Sequence, residues 1–183
     1  MILRKFTFLM IVSFLIMSNF TAVEARHSAS FGVYDGHGDI AIKAIIENTN
    51  KRLSADCKLY VLDKDKWRSC KAYFGNSTSN QFIAKSVKDA SNVLSSIEIV
   101  CSKKEDSEKF RKVVSATISA ILGEQRSSNI KSKFEQAFYY TNKELPYKKT
   151  FTSNYVDVKD IVLEYKVSSS YVQSVKITAE WTD

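Results

Sequence analysis

One proline, five glycines, two histidines and three cysteines are all that this 183-residue chain contains of those types. With glycine and proline so scarce, collagen-like and low-complexity architectures are excluded, and regular elements joined by polar turns are expected. A structural zinc site draws four Cys or His ligands, which this inventory barely supplies. Both histidines, His27 and His37, fall near the N-terminus, so Cys101 has no histidine close in sequence to activate it as a nucleophile. No Gly-x-Ser-x-Gly elbow occurs, and no glycine loop closes on the lysine that phosphate binding requires. Runs of five like charges are also missing. The net charge is +7, but the lysines are interspersed with acids, as in Lys103-Lys104-Glu105-Asp106-Ser107-Glu108. That pattern describes a solvated surface, and nucleic acid is not an expected partner.

The N-terminus is what stands out first among the residues present. Arg4 and Lys5 precede an apolar run from Phe6 to Phe20, and Val23-Glu24-Ala25 follows with small residues at the two positions a signal peptidase reads. The run is shorter than the ~20 residues a membrane span needs. Residues 1–25 are therefore expected to be a removed signal peptide, leaving one domain over 26–183 in a secreted or periplasmic location. No transmembrane segment is expected after that removal.

In an oxidising compartment, three cysteines suggest one pair and one leftover. Two apolar stretches, Cys57 to Leu62 and Trp67 to Phe74, flank Asp63-Lys64-Asp65-Lys66. A hairpin centred between Asp63 and Lys64 would place Cys57 opposite Cys70, and a Cys57–Cys70 disulfide is the expected staple.

Helical periodicity is read in four places. Asp39 is placed to cap a helix through about Leu53, with Ile42, Ile45 and Ile46 on one face. A second helix is expected from about Ser79 to Ser96, on the stripe Ile83, Val87, Ala90 and Leu94. A third covers Glu108 to Leu122, with Gly123 just past its end. The fourth runs from Ser128 to about Glu144, with Pro146 forbidding its continuation. Toward the C-terminus the period changes to two. Within Val156 to Val167, Ile161, Leu163, Tyr165 and Val167 alternate in phase, while Val156 and Val158 fall out of it and suggest a bulge near Lys159-Asp160. Within Tyr171 to Trp181, Tyr171, Val175, Ile177, Ala179 and Trp181 share a face on which Gln173 is the lone polar residue. These read as an antiparallel pair. The expected fold class is α+β: about four helices packed on an antiparallel sheet, with the disulfide-pinned hairpin and a C-terminal β-hairpin.

Chemistry has two candidate locations. The first is Phe31-Gly32-Val33-Tyr34-Asp35-Gly36-His37-Gly38, which resembles the central motif of the metal-dependent protein phosphatases of the type 2C family. The resemblance implies a strand leading into a helix, with Asp35 bridging two manganese or magnesium ions and Gly36 offering its carbonyl. It covers eight residues. The chain has Asp39 where that family has a further glycine, no acid between Arg26 and Ser30, and no later Asp-Gly or Asp-Asn dipeptide. The alternative reading is architectural, with no cofactor: a glycine turn in which Asp35 bonds backbone amides.

The second location is a crowd of aromatics between Phe134 and Phe151. Phe134 and Phe138 belong to an apolar helix face, and Tyr139, Tyr140 and Tyr147 cannot all share it. With Lys143, Lys148 and Lys149 around them, these three tyrosines are the expected partner-binding residues. The function expected on this reading is that of a non-catalytic protein-interaction domain: an effector, an inhibitor or immunity-type protein, or an assembly component. A metal-dependent phosphatase-like enzyme using Asp35 is the first alternative. A carrier holding a small ligand between sheet and helices is the second.

Overall fold

The computed structural model describes residues 28–29, 31, 40–66, 68–86, 93–156, 159–168 and 171–182. In chain order the elements are β1 (Ser28–Ala29), α1 (Ile42–Lys51), β2 (Leu59–Asp65), β3 (Ser69–Phe74), β4 (Ser77–Ser86) and β5 (Leu94–Cys101). They continue with α2 (Ser107–Tyr139), β6 (Tyr147–Val156), β7 (Lys159–Val167) and β8 (Gln173–Trp181). Single 3-10 turns sit at Ala55–Cys57 and Lys104–Asp106. The strands form one antiparallel sheet in the order β2-β3-β4-β5-β8-β7-β6, with β1 added to β8 at Ser28↔Glu180 and Ala29↔Ala179.

Strand alternation divides this sheet into two faces. Ala72, Phe82, Ile97 and Ile99, Val175 and Ile177, and Leu163 and Tyr165 lie buried on one face beneath the helices. The opposite face carries a charged row, Glu98↔Lys176↔Glu164, that follows directly from the ladder register. Phe31 is fully buried and meets Tyr155 edge-on at 5.8 Å. Its carbonyl accepts from the Ile40 amide at 3.0 Å, and its own amide donates to Leu94 at 2.7 Å. The two ends flanking 32–39 are thus fastened to each other and to β5.

Helix α1 arises where its periodicity places it, burying Ile42, Ile45 and Ile46. Ala41 occupies its N-cap without a side-chain hydrogen bond. Helix α2 is broken at Gly123, whose φ of 75° and ψ of 162° are not helical. The arms 107–122 and 124–139 fold back on each other: Ser119 Oγ lies 3.2 Å from Ser127 Oγ, Arg111 bonds Glu135 at 2.9 Å, and Tyr139 donates to Glu108 at 3.3 Å. Each of these pairs is nearly equidistant from Gly123 along the chain. Phe110 and Phe134 meet between the arms at 6.4 Å.

The fold-class expectation is corrected in three respects. The described residues contain two helices, the second folded into a hairpin, rather than four. The described residues of 79–96, namely 79–86 and 93–96, are strand or, at Val93, a β-bridge, and not helix. Asn80, Phe82 and Ala84 alternate inward on β4, and Leu94, Ile97 and Ile99 are buried on β5, because cross-strand pairing of these segments buries more than the helical stripe offered. The third correction concerns the staple: Cys57, Cys70 and Cys101 are all free and buried. The β2–β3 hairpin does form, but it turns after Asp65, where Lys66 has φ 42° and Asp65 pairs with Ser69. Cys70 therefore faces Lys64, while Cys57 lies in the 3-10 turn before the strand begins. At the C-terminus the expected pair is β7 and β8. In place of a bulge in one long strand near Lys159, Val156 closes β6, and β7 begins only at Lys159.

Candidate functional site

The last turn of α2, the segment 140–146 and the start of β6 bring most of the sequence-predicted interaction residues into one region. Strand β6 is the end of the sheet order, pairing with β7 alone among the described residues. Its alternation sorts neighbours in sequence onto opposite faces. Tyr147 and Lys149 pair with Val167 and Tyr165 on the helix-covered face, whereas Lys148 pairs with Lys166 on the open one. Lys148 there makes an ion pair with Glu164, which Lys166 also reaches. Burial pushes the Glu164 carboxyl up, and these two lysines outweigh it to hold the group below its ordinary value.

Between the second arm of α2 and the edge of β6 runs a cleft of about 740 Å³. Lys133, Gln136, Ala137 and Tyr140 line its helix side, and residues Tyr147 to Thr152 its strand side. Tyr140 and Tyr147 stand 6.3 Å apart at one end. Lys133 and Lys149 make no ion pair among the described residues. Among the described residues no acidic side chain lines the cleft.

Beyond Tyr140 the surface dips into a second cavity of about 340 Å³, under the end of α2 and against β7 and β8. Lys143 enters it through a ring of aromatics, with its Nζ 5.8 Å from Phe138, 5.4 Å from Tyr147 and 5.1 Å from Tyr165. It donates to the Phe138 carbonyl at 2.7 Å and to the Tyr165 hydroxyl at 3.3 Å. Burial holds its amine below the usual lysine value. Tyr165, fully buried, donates to Gln173 Oε1 at 2.9 Å, and Gln173 Nε2 donates to Ser107 Oγ at 2.7 Å. Burial first, and then Tyr147, push the Tyr165 hydroxyl upward.

Five of the six expected partner-binding residues are thus neighbours, and Tyr139 is separated from them. Its ring lies under Arg111 at 5.7 Å, with its hydroxyl on Glu108, in the clasp between the two helical arms. Sequence reading missed Lys133, Tyr165, Gln173 and Ser107. The signal for the last three was present: Gln173 is the one polar residue on an otherwise apolar strand face, and a buried amide demands partners.

Asp35 and Gly36, the residues of the manganese or magnesium alternative, lie outside the described residues, as do His27, Asp39 and the signal segment 1–25. Among the described residues no cluster of three or more His, Cys, Asp or Glu suits a metal ion, and no helix is long and apolar enough to cross a membrane. In comparisons with protein-family models, curated proteins and solved structures, nothing matches this chain.

Proposed function

We propose that the chain is an exported, non-catalytic protein-interaction domain that takes an extended acidic segment of a partner protein into the cleft between α2 and β6. The observation that carries this reading is the cleft itself, which has as one wall a strand edge unpaired among the described residues and a helix as the other. An edge strand offers a row of backbone donors and acceptors that a further strand completes. The Tyr140 and Tyr147 rings supply large rigid contact area at one end.

Charge selects the occupant. Lysines on a strand edge repel other lysine-bearing edges and discourage neutral ones, and a second copy of a chain with net charge +7 carries the wrong sign. An acidic strand matches Lys133 and Lys149, which make no ion pair among the described residues. Export rests on the charged, apolar and small-residue order of the first 25 residues.

Selection of a displayed random-peptide library on the intact chain tests the reading. Enriched peptides should combine Asp or Glu with alternating apolar residues, and proline at the paired positions should abolish binding. Tyr140→Ala should weaken them by more than about 1 kcal/mol, as central aromatic contacts do, and a Lys133→Glu, Lys149→Glu double variant should lose them. Enrichment of neutral or basic peptides, binding unaffected by the double variant, self-association through β6, or preferential capture of RNA would each overturn it.

A further inference from the structure

We infer that the cavity beneath the end of α2 is a binding site for a small apolar carboxylic acid, held as its anion by Lys143. This site does not rest on the peptide reading, although Tyr140 borders both depressions.

Size and lining set the ligand class. The cavity, about 340 Å³, lies at the small end of the range of about 300–1,000 Å³ typical of ligand clefts. Leu145, Val167 and the Phe138 and Tyr171 rings give it apolar walls. Among the described residues, two lysines, Lys104 and Lys143, belong to the lining, and no acidic side chain does. The absence of arginine from the described lining argues against a phosphate, which planar bidentate donors recognise best.

Lys143 is a desolvated cation without a counter-ion among the described residues. An ammonium has three donors, and its two hydrogen-bond partners are a carbonyl and a phenol. Aromatic faces offset part of the desolvation, but none of these groups carries a negative charge. A carboxylate in the cavity would provide one, together with an acceptor for the remaining donor.

The surrounding polar groups are arranged for the same charge. Because Gln173 Nε2 donates to Ser107 Oγ, the Ser107 proton remains for an acceptor in the cavity that this hydroxyl lines. Ser107 is also the first residue of α2, so the positive end of the helix dipole points to this corner. Tyr165 and Gln173 act as positioning residues. Their hydrogen bond fixes the phenol oxygen on which Lys143 rests.

Octanoate and octan-1-ol, titrated into the full-length protein and followed by amide chemical shifts, separate charge recognition from apolar burial. Octanoate should give saturable shifts at Leu145, Val167 and Gln173, and the alcohol should bind at least about tenfold more weakly. Lys143→Met should weaken octanoate about tenfold, with thermal unfolding showing that the variant folds. Should that variant fail to fold, Lys104→Met and the octanoate-to-octanol ratio on the unmodified chain decide the matter. Absence of saturable shifts at those residues, equal binding of acid and alcohol, or displacement of octanoate by equimolar inorganic phosphate would overturn the assignment.

Discussion

Arg111 holds Glu135 at 2.9 Å although 24 residues of helix separate them in sequence. A continuous helix would carry these side chains about 36 Å apart at 1.5 Å per residue, so the ion pair exists because the chain reverses at Gly123. The reversal places Phe134 edge-on to Tyr165 at 5.4 Å and delivers the end of α2 to β6. Both cavities depend on it.

Gly123 is therefore expected to resist replacement. Its φ of 75° and ψ of 162° lie in a region essentially reserved for glycine, where another residue costs about 1–3 kcal/mol. Nothing stands within 4 Å of an added Cβ, so the cost is conformational and not steric. Denaturant unfolding of Gly123→Ala should show a loss in that range with an unchanged slope. A loss below about 0.5 kcal/mol, the size of an ordinary surface substitution, would refute the hairpin.

A second prediction concerns pH. Asp106 accepts from Asn80 Nδ2 at 2.7 Å and from Lys109 Nζ at 2.9 Å, joining β4 to the start of α2. Burial pushes its carboxyl up, and the hydrogen bonds from Lys109 and Asn80 outweigh burial to hold it below the ordinary aspartate value. A depressed native value means that the unfolded chain takes up the proton first as pH falls. The group's contribution is complete above the unfolded value of about 3.9 and disappears as pH drops through the native one. The stability difference between the unmodified chain and Asp106→Asn should accordingly be constant near neutrality and shrink below about pH 4. Asn80→Ala, which leaves a buried carboxylate oxygen unsatisfied, should cost about 1–3 kcal/mol at pH 7.

The cysteines give a third test. All three are free and buried, and burial pushes each thiol above its usual value. An aromatic disulfide reagent should label none of them in the folded protein and all three after unfolding, and the melting temperature should not respond to reductant. Labelling of only a single cysteine in denaturant would show that two of them are bridged and overturn this.

The elements whose core faces lie on one strand or one helix were legible from the sequence. Ile161 to Val167 and Val175 to Ala179 read correctly because alternation is a local property. Ile42, Ile45 and Ile46 likewise sit where a 3.6-residue period puts them. Residues 79–96 misled because Ile83, Val87, Ala90 and Leu94 satisfy a helical template, while Asn80, Phe82 and Ala84 satisfy a strand once β3 and β5 flank them. Register was the weaker quantity throughout. The sequence contains nothing that distinguishes a turn at Asp63-Lys64 from one after Asp65, and the difference moves Cys70 from Cys57 to Lys64. At the candidate site, the crowding of tyrosines and lysines was visible. Its sorting by strand alternation, and the Tyr165–Gln173–Ser107 chain behind Lys143, depend on elements up to 66 residues apart.

Lys143 provides the last test, because its environment predicts a measurable acidity. Its neighbours are Phe138 on α2, Tyr147 on β6 and Tyr165 on β7, with Lys104, Tyr140 and Tyr171 also lining the cavity. Burial lowers the amine's pKa, so the unfolded chain retains that proton to higher pH than the folded one. Stability attributable to this group should then rise as pH passes from the native value toward the unfolded value of about 10.4. Tyr147 and Tyr165, both pushed upward mainly by burial, act in the opposite sense in the same range, so a bulk unfolding curve would blend the three. Site-resolved detection avoids this. Competitive trace acetylation across pH, read lysine by lysine by mass spectrometry, should place the Lys143 midpoint below the ordinary lysine value of about 10.4, and octanoate should raise it by stabilising the charged amine. A Lys143 midpoint at that ordinary value would show that the amine is solvated, and the cavity could not then hold an anion in the manner proposed.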